Sequence, residues 1–185
     1  MLAGYALYAS PAPIGTFAMN PTRDTSSVRV ACDAMCGGLA RRLRILGVDA
    51  SFTPGIADDE LLRHAEAESR VVISSDGPLF RRRPIAGGRV RALRLPVGLP
   101  LDRQLELAIR ELRLRAEFPR CARCNGELAV VPRTAVADCV PARTLIWRRE
   151  FFRCVECGHV YWQGSHWRRI GDWRCAHSAG GADDI

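Results

Sequence analysis

Lysine is absent from this chain: all 27 basic residues are arginine, against 20 acidic ones, for a net charge of +7. Any contact with an anionic partner therefore falls to guanidinium forks, whose planar geometry suits phosphate. An all-arginine inventory also accords with a GC-rich genome, so the bias by itself assigns nothing. The excess of positive charge favours a polyanion, nucleic acid first. Also missing is any apolar run approaching the roughly 20 residues of a membrane span, so no membrane partner is expected. The mildly apolar stretch Leu2 to Ala9 has no basic flank, is broken by Gly4, and is followed by Pro11 and Pro13. It does not read as a secretory signal. A cytoplasmic protein with reduced thiols is the expectation.

What is present is cysteine in a particular spacing. Four of the eight cysteines form two C-x-x-C pairs, Cys121 with Cys124 and Cys154 with Cys157. Two thiolates three positions apart on a tight turn grip one ion from the same side. A second such turn completes the tetrahedron that structural Zn²⁺ takes. Asn125-Gly126 follows the first pair and Gly158 the second, which suits a knuckle whose backbone amides turn toward sulfur. The alternative is a disulfide framework, which needs an oxidising compartment and usually a smaller, cysteine-denser chain. Cys32, Cys36, Cys139 and Cys175 fall in no pairing pattern and read as ordinary thiols. His159 lies too close to Cys157 to be counted as a ligand when four cysteines suffice.

Residues 1–27 carry three prolines, several hydroxyl residues and no period, and read as a disordered leader. From Val28 the pattern sharpens. Val28 to Cys32, Ala50 to Thr53, Val71 to Ile73 and Val90 to Leu95 read as strands. Between them Leu39, Leu43 and Leu46 recur at helical spacing and stop at Gly47. A second helix opens near Asp58 and runs to about Glu68, and a third spans Leu101 to Leu114. This alternation predicts an α/β fold with a mostly parallel sheet and helices on both faces over 28–117. A zinc ribbon is expected over 118–170 and a disordered tail over 171–185.

In such a sheet, functional groups gather beyond the carboxyl ends of the strands. Asp33 follows the first strand, Asp58 and Asp59 open the helix after the second, and Asp76 follows the third. Clustered carboxylates repel, and Mg²⁺ or Mn²⁺ is the usual compensation because hard cations prefer oxygen. Each residue also has a plainer role. Asp58 suits a helix N-cap, Asp59 the helix dipole, Asp76 a turn before Gly77-Pro78, and Asp33 a cap for the helix after it. The coincidence at three strand ends is what favours the metal.

Both halves together resemble the Mut-seven C-terminal RNase family, a PIN-like nuclease domain fused to a zinc ribbon. The resemblance rests on Asp33, the run Gly38 to Gly47, Asp58 to Leu62, Ser75-Asp76, Cys121 to Leu128, Cys154 to Gly158, and Val160 to Trp167. It implies a PIN-like three-layer α/β/α domain and a metal-dependent ribonuclease. Asp33, Asp58, Asp59 and Asp76 become the catalytic set, with Asp33, Asp58 and Asp76 holding Mg²⁺ or Mn²⁺. Ser75 stands where many relatives carry a basic residue.

For single-stranded or structured RNA, the candidate contacts are Arg41 and Arg42 on the first helix and Arg81, Arg82 and Arg83 just past Asp76. His166 and Trp167 in the ribbon join them, because backbone neutralisation and aromatic stacking carry such binding. A solvated helix face is an equal reading for Arg41, Arg42 and Arg44. His64 reads as a surface or packing residue. Phe152 and Tyr161 read as ribbon core, with Trp147, Phe151 and Trp162 available to bases. The alternatives from other classes are a non-catalytic RNA- or ribosome-binding module, and a toxin-like nuclease held by an antitoxin. DNA as substrate stays open.

Overall fold

Four short parallel strands form the centre of the first unit: β1 (Val30–Cys32), β2 (Ala50–Phe52), β3 (Val71–Ser74) and β4 (Ala92–Arg94), in the order β2-β1-β3-β4. The structure is a computed structural model that describes residues 28–162. The expectations for 1–27, the 171–185 tail, Cys175, His166 and Trp167 lie outside the described residues.

The strands alternate as a sheet covered on both faces must. Val30, Cys32, Val71 and Ile73 point to one side, where they pack with Leu39 and Leu43 of α1 (Gly37–Ile45) and Leu105, Ala108 and Ile109 of α4 (Leu101–Leu112). Ala31 and Val72 point to the other, against Leu61, Leu62 and Ala65 of α2 (Asp58–Ala67) and against Leu79. The result is the three-layer α/β/α arrangement expected from the sequence. A further short helix, α3 (Arg83–Ala86), was not legible there; it follows a 3-10 turn at Pro78–Arg81.

The chain steps from β1 outward to β2, then crosses back over β1 to place β3 on its other side. The reversal of direction falls between β1 and β3, and a crevice opens at such a point beyond the carboxyl ends. Asp33 and Asp76 stand there, one after each strand.

The second unit is a three-stranded antiparallel sheet, β5 (Leu128–Val131), β6 (Phe151–Cys154) and β7 (Val160–Trp162), in that order. Its core has two parts. Cys121, Leu128, Phe152 and Cys154 cluster with Phe118 and Tyr161 around the sulfurs. Val136, Val140 and Phe151 form the other part with Leu145 and Trp162. The long stretch between the cysteine pairs thus builds its own support, including a short helix, α5 (Ala142–Trp147). Phe152 and Tyr161 are core as expected. Phe151 is wholly buried and unavailable to bases, whereas Trp147 is 75% exposed.

Candidate active site and metal centre

The four cysteine sulfurs lie within 4.8 Å of one another. Among the described residues, no other group of three or more metal-ligating side chains closes this tightly. Cys121 Sγ is 3.6 Å from Cys157 Sγ, and Cys124 Sγ is 3.4 Å from Cys154 Sγ. Those separations far exceed a disulfide at ~2.05 Å. They approach the ~3.8 Å expected of sulfurs ~2.3 Å from one tetrahedral centre.

The knuckles are shaped for thiolate. The amides of Cys124, Gly126 and Cys157 point at Cys121, Cys124 and Cys154 sulfurs at 3.5, 3.4 and 3.5 Å. Burial pushes the Cys121 thiol up. Hydrogen bonds from the Tyr161 hydroxyl, at 3.1 Å, and from the knuckle outweigh it and bring the thiol down to about 7. Burial and hydrogen bonding to the neighbouring sulfurs push Cys124 up to about 12, so a bound cation is what would let all four ionise together. His159 stacks edge-on against Tyr161 and is no part of the cluster.

Gly126 has a specific reason to be glycine. A Cβ there would stand 2.9 Å from Cys154 Sγ and 2.8 Å from Glu156 Cδ. Gly126→Ala is expected to weaken metal affinity at least about tenfold by displacing that sulfur, read by competition against a zinc-sensitive dye.

Arg44 does not lie on the solvated helix face that is one reading of the run Arg41 to Arg44. It is 3% exposed. Its Nε donates to the Ala50 carbonyl at 2.8 Å and its Nη1 to the carbonyls of Ala122 and Arg123, at 3.1 and 3.0 Å, inside the first knuckle. It has no carboxylate partner among the described residues; the sulfurs that would face it as thiolates around a bound metal are those of Cys121 and Cys124. A Zn²⁺ with four thiolates carries net charge −2, and Arg44 offsets part of it from the sheet side.

Beside Arg44 lies a second contact that sequence reading missed. Asp49, in the turn before β2, accepts from Arg70 Nη1 at 2.6 Å and from Asn125 Nδ2 at 2.7 Å. Arg29 and Arg120 approach its other oxygen at 3.4 and 3.6 Å. Asn125 Oδ1 accepts in turn from the Ala50 amide at 3.0 Å. The knuckle residue Asn125 therefore joins the metal cluster to the parallel sheet. Gly47, at φ +90°, lets the chain pass against Glu117, whose backbone carbon a Cβ would meet at 2.6 Å.

At the carboxyl edge of the sheet, Asp33 is buried and both its oxygens are engaged. Oδ1 accepts from the Ala34 amide at 2.6 Å and Oδ2 from the Ser74 hydroxyl at 2.6 Å. Ser74 Oγ accepts from the Asp76 amide at 2.9 Å, and Asp76 Oδ2 accepts from the Leu79 amide at 3.2 Å. The capping role of Asp33 and the turn role of Asp76 are thus real. A carboxylate has about four acceptor sites, so each keeps some for a cation. Ser74, unremarked in the sequence, is the hydroxyl that ties the two segments together.

The other two carboxylates sit differently. Ala57 takes the N-cap of α2, so Asp58 stands at the first helical position with no side-chain bond among the described residues. Asp59 is exposed and paired with Arg82. Asp33, Asp58, Asp59 and Asp76 do not close into a cluster as tight as the cysteines. This is acceptable for Mg²⁺, which keeps several waters and takes one or two carboxylates.

Of the candidate RNA contacts, Arg41, Arg81 and Arg83 are exposed, Arg82 is held by Asp59, and Arg42 is paired with Asp102 of α4. His64 is exposed near Glu60. Cys32 and Cys36 are buried beside Asp33. Burial raises both thiols, Cys36 to about 11, which makes them inert at neutral pH. No helix among the described residues is long and apolar enough to cross a membrane.

The family model of the Mut7-C RNAse domain matches residues 28–173, which takes in both the carboxylate edge and the four cysteines. The chain belongs to the Mut7-C RNAse domain family. It is also similar to the exonuclease mut-7 homolog of Homo sapiens, 32% identical over 110 residues. That match covers 57% of this chain and 12% of the human protein, so the chain spans a small part of that relative's length. Membership in this family, with the exonuclease relative, points to a nuclease, a hydrolase in the general sense.

Proposed function

We propose that the protein is a metal-dependent ribonuclease that hydrolyses RNA phosphodiester bonds at the carboxylate edge, with the zinc ribbon aiding RNA binding or stability. The proposed nuclease part is 28–117 and the ribbon 118–170, acting in the cytoplasm. The observation that carries the reading is the pair Asp33 and Asp76, set at the ends of adjacent strands where the sheet reverses and linked through Ser74. Asp33 and Asp76 would hold Mg²⁺ or Mn²⁺, with Asp58 reaching it directly or through water and Asp59 held back by Arg82. Such a cation, when bound, would lower the pKa of a water and offset charge on the phosphate. The chain's own work is positional. Ser74 and the Ala34 amide fix the Asp33 carboxylate, and the Leu79 amide fixes Asp76. Fixed donors lose little freedom when a ligand arrives. Cys121, Cys124, Cys154 and Cys157 would hold Zn²⁺ away from the reaction.

The test is cleavage of a labelled single-stranded RNA with added Mn²⁺ or Mg²⁺. Asp33→Asn and Asp76→Asn are each expected to lower the rate by about two orders of magnitude or more, the several kcal/mol that a cation supplies. Cleavage that survives both changes, or needs no divalent cation, would sink the reading. Binding without cleavage in the unaltered protein would make it a non-catalytic RNA-binding module.

A further inference from the structure

We propose that Arg94 forms a phosphate subsite beside the acid pair, gripping a phosphodiester of the bound strand on the β4 side. The inference rests on the nuclease reading above and adds the residue that orients the substrate.

Arg94 ends β4, and its register partner is Ser74 of β3. Partners in adjacent parallel strands point to the same face. On that face Asp33 and Ser74 are already joined by a hydrogen bond. One row across three neighbouring strands therefore reads carboxylate, hydroxyl, guanidinium, with strand spacings of ~4.8 Å. The same face carries α2, whose first turn brings Asp58 and Asp59.

Three features hold the guanidinium in that row. Its carbon lies 5.8 Å from the centroid of the Phe80 ring, a cation–π seat. Its Nη2 lies where a Cβ on Gly77, the residue after Asp76, would come within 3.2 Å. The Leu95 amide bonds the Ser74 carbonyl at 2.8 Å, which pins the backbone beyond it. The side chain is exposed and has no carboxylate partner among the described residues. Arg82, Arg42 and Arg70 each have one. A positioned, unneutralised fork next to a pair of carboxylates suits an anion that bridges both: a phosphate whose oxygens take the cation on one side and Arg94 on the other. Ser75, directly before Asp76, has no charge to do this.

The experiment measures binding and turnover separately. Binding of a labelled single-stranded RNA is followed by fluorescence anisotropy in the Asp33→Asn protein, where cleavage does not interfere. Adding Arg94→Ala is expected to weaken binding about tenfold and to reduce the salt slope by about 0.7, the share of one phosphate on a single strand. Arg94→Lys, which keeps charge but loses the fork, is expected to fall between. Arg110→Ala, which removes the same charge on α4, is expected to change neither. In the otherwise unaltered protein, Arg94→Ala is expected to raise KM with a smaller effect on kcat, at unchanged Tm and zinc content. Unchanged affinity in Arg94→Ala, no measurable RNA binding, or an equal loss in Arg110→Ala would overturn the subsite. An unaltered protein that binds RNA but never cleaves it would instead overturn the nuclease reading, and the anisotropy result would still decide Arg94.

Discussion

Stripping the metal from the four-cysteine cluster is expected to unfold the three-stranded sheet, and Cys121→Ser to do the same without a chelator. The cores beneath β5, β6 and β7 are small: Phe118, Leu128, Phe152 and Tyr161 share one cluster with the cysteines, and Val136, Val140 and Phe151 form a separate patch. Units of this size rarely bury enough apolar surface to be stable unaided. Structural zinc contributes about 10–16 kcal/mol in peptides of comparable design, more than the whole stability of many domains. The unfolding should be visible as lost near-ultraviolet signal from Tyr161 and Trp162, at about one zinc released per chain. A protein that binds no zinc as purified, or one whose melting is unchanged by a strong chelator and by Cys121→Ser, would show that the cysteines serve another purpose.

The two features that were legible in the sequence, the strand ends and the C-x-x-C pairs, are those in which the informative residues are neighbours in the chain. Asp33 and Asp76 end apolar runs that had to be strands, and the helices between forced those strands parallel. The knuckles follow from spacing alone. What stayed hidden depends on contacts across long separations. Arg41, Arg42 and Arg44 look alike in a list of residues, and nothing local says that the first knuckle will cover Arg44 and leave Arg41 in water. Arg94 is one polar position within the run Val90 to Leu95; its register with Ser74 gives it a place in the site. Asp58 or the residue just before it could cap α2 by sequence, and Ala57 is the one that does. Ser74 was simply the end of an apolar strand, since a buried hydroxyl shows its use only when its acceptor is known.

Asp49→Ala is expected to cost about 3–5 kcal/mol, although the residue belongs to no motif. Its side chain is 19% exposed and faces the nearly buried Arg70 and Arg120, with Arg29 at the rim. Removing one partner of a buried charge pair costs more than the pair itself contributes: Arg70 would be left with Glu68 alone, 2.7 Å from its Nε, and Arg120 would lose the Asp49 carboxylate, each guanidinium being poorly hydrated. Burial alone would raise the Asp49 carboxyl. Hydrogen bonds from Arg70 and Asn125 and the charges of Arg70 and Arg120 overcome it and hold the carboxyl at about 2. The unfolded value is near 3.9. A carboxyl depressed in the folded state contributes stability that is fully present above its unfolded pKa and is lost as pH falls through its folded one. The window is therefore about pH 4 down to 2, and the shift is worth about 2–3 kcal/mol. Urea unfolding at pH 7 and across that window checks both statements. Asp49→Asn should remove the contribution of this residue to the acid dependence while costing less than alanine. A loss below about 1 kcal/mol for alanine would mean that the arginines find other partners. Asn125→Ala, measured alone and with Asp49→Ala, should give less than the sum of the two losses, since both changes break one contact. Additive losses would mean that the knuckle and the parallel sheet meet without depending on one another. Coupled losses would mean that whatever shifts the cysteine cluster also reaches β2, one strand from Asp33.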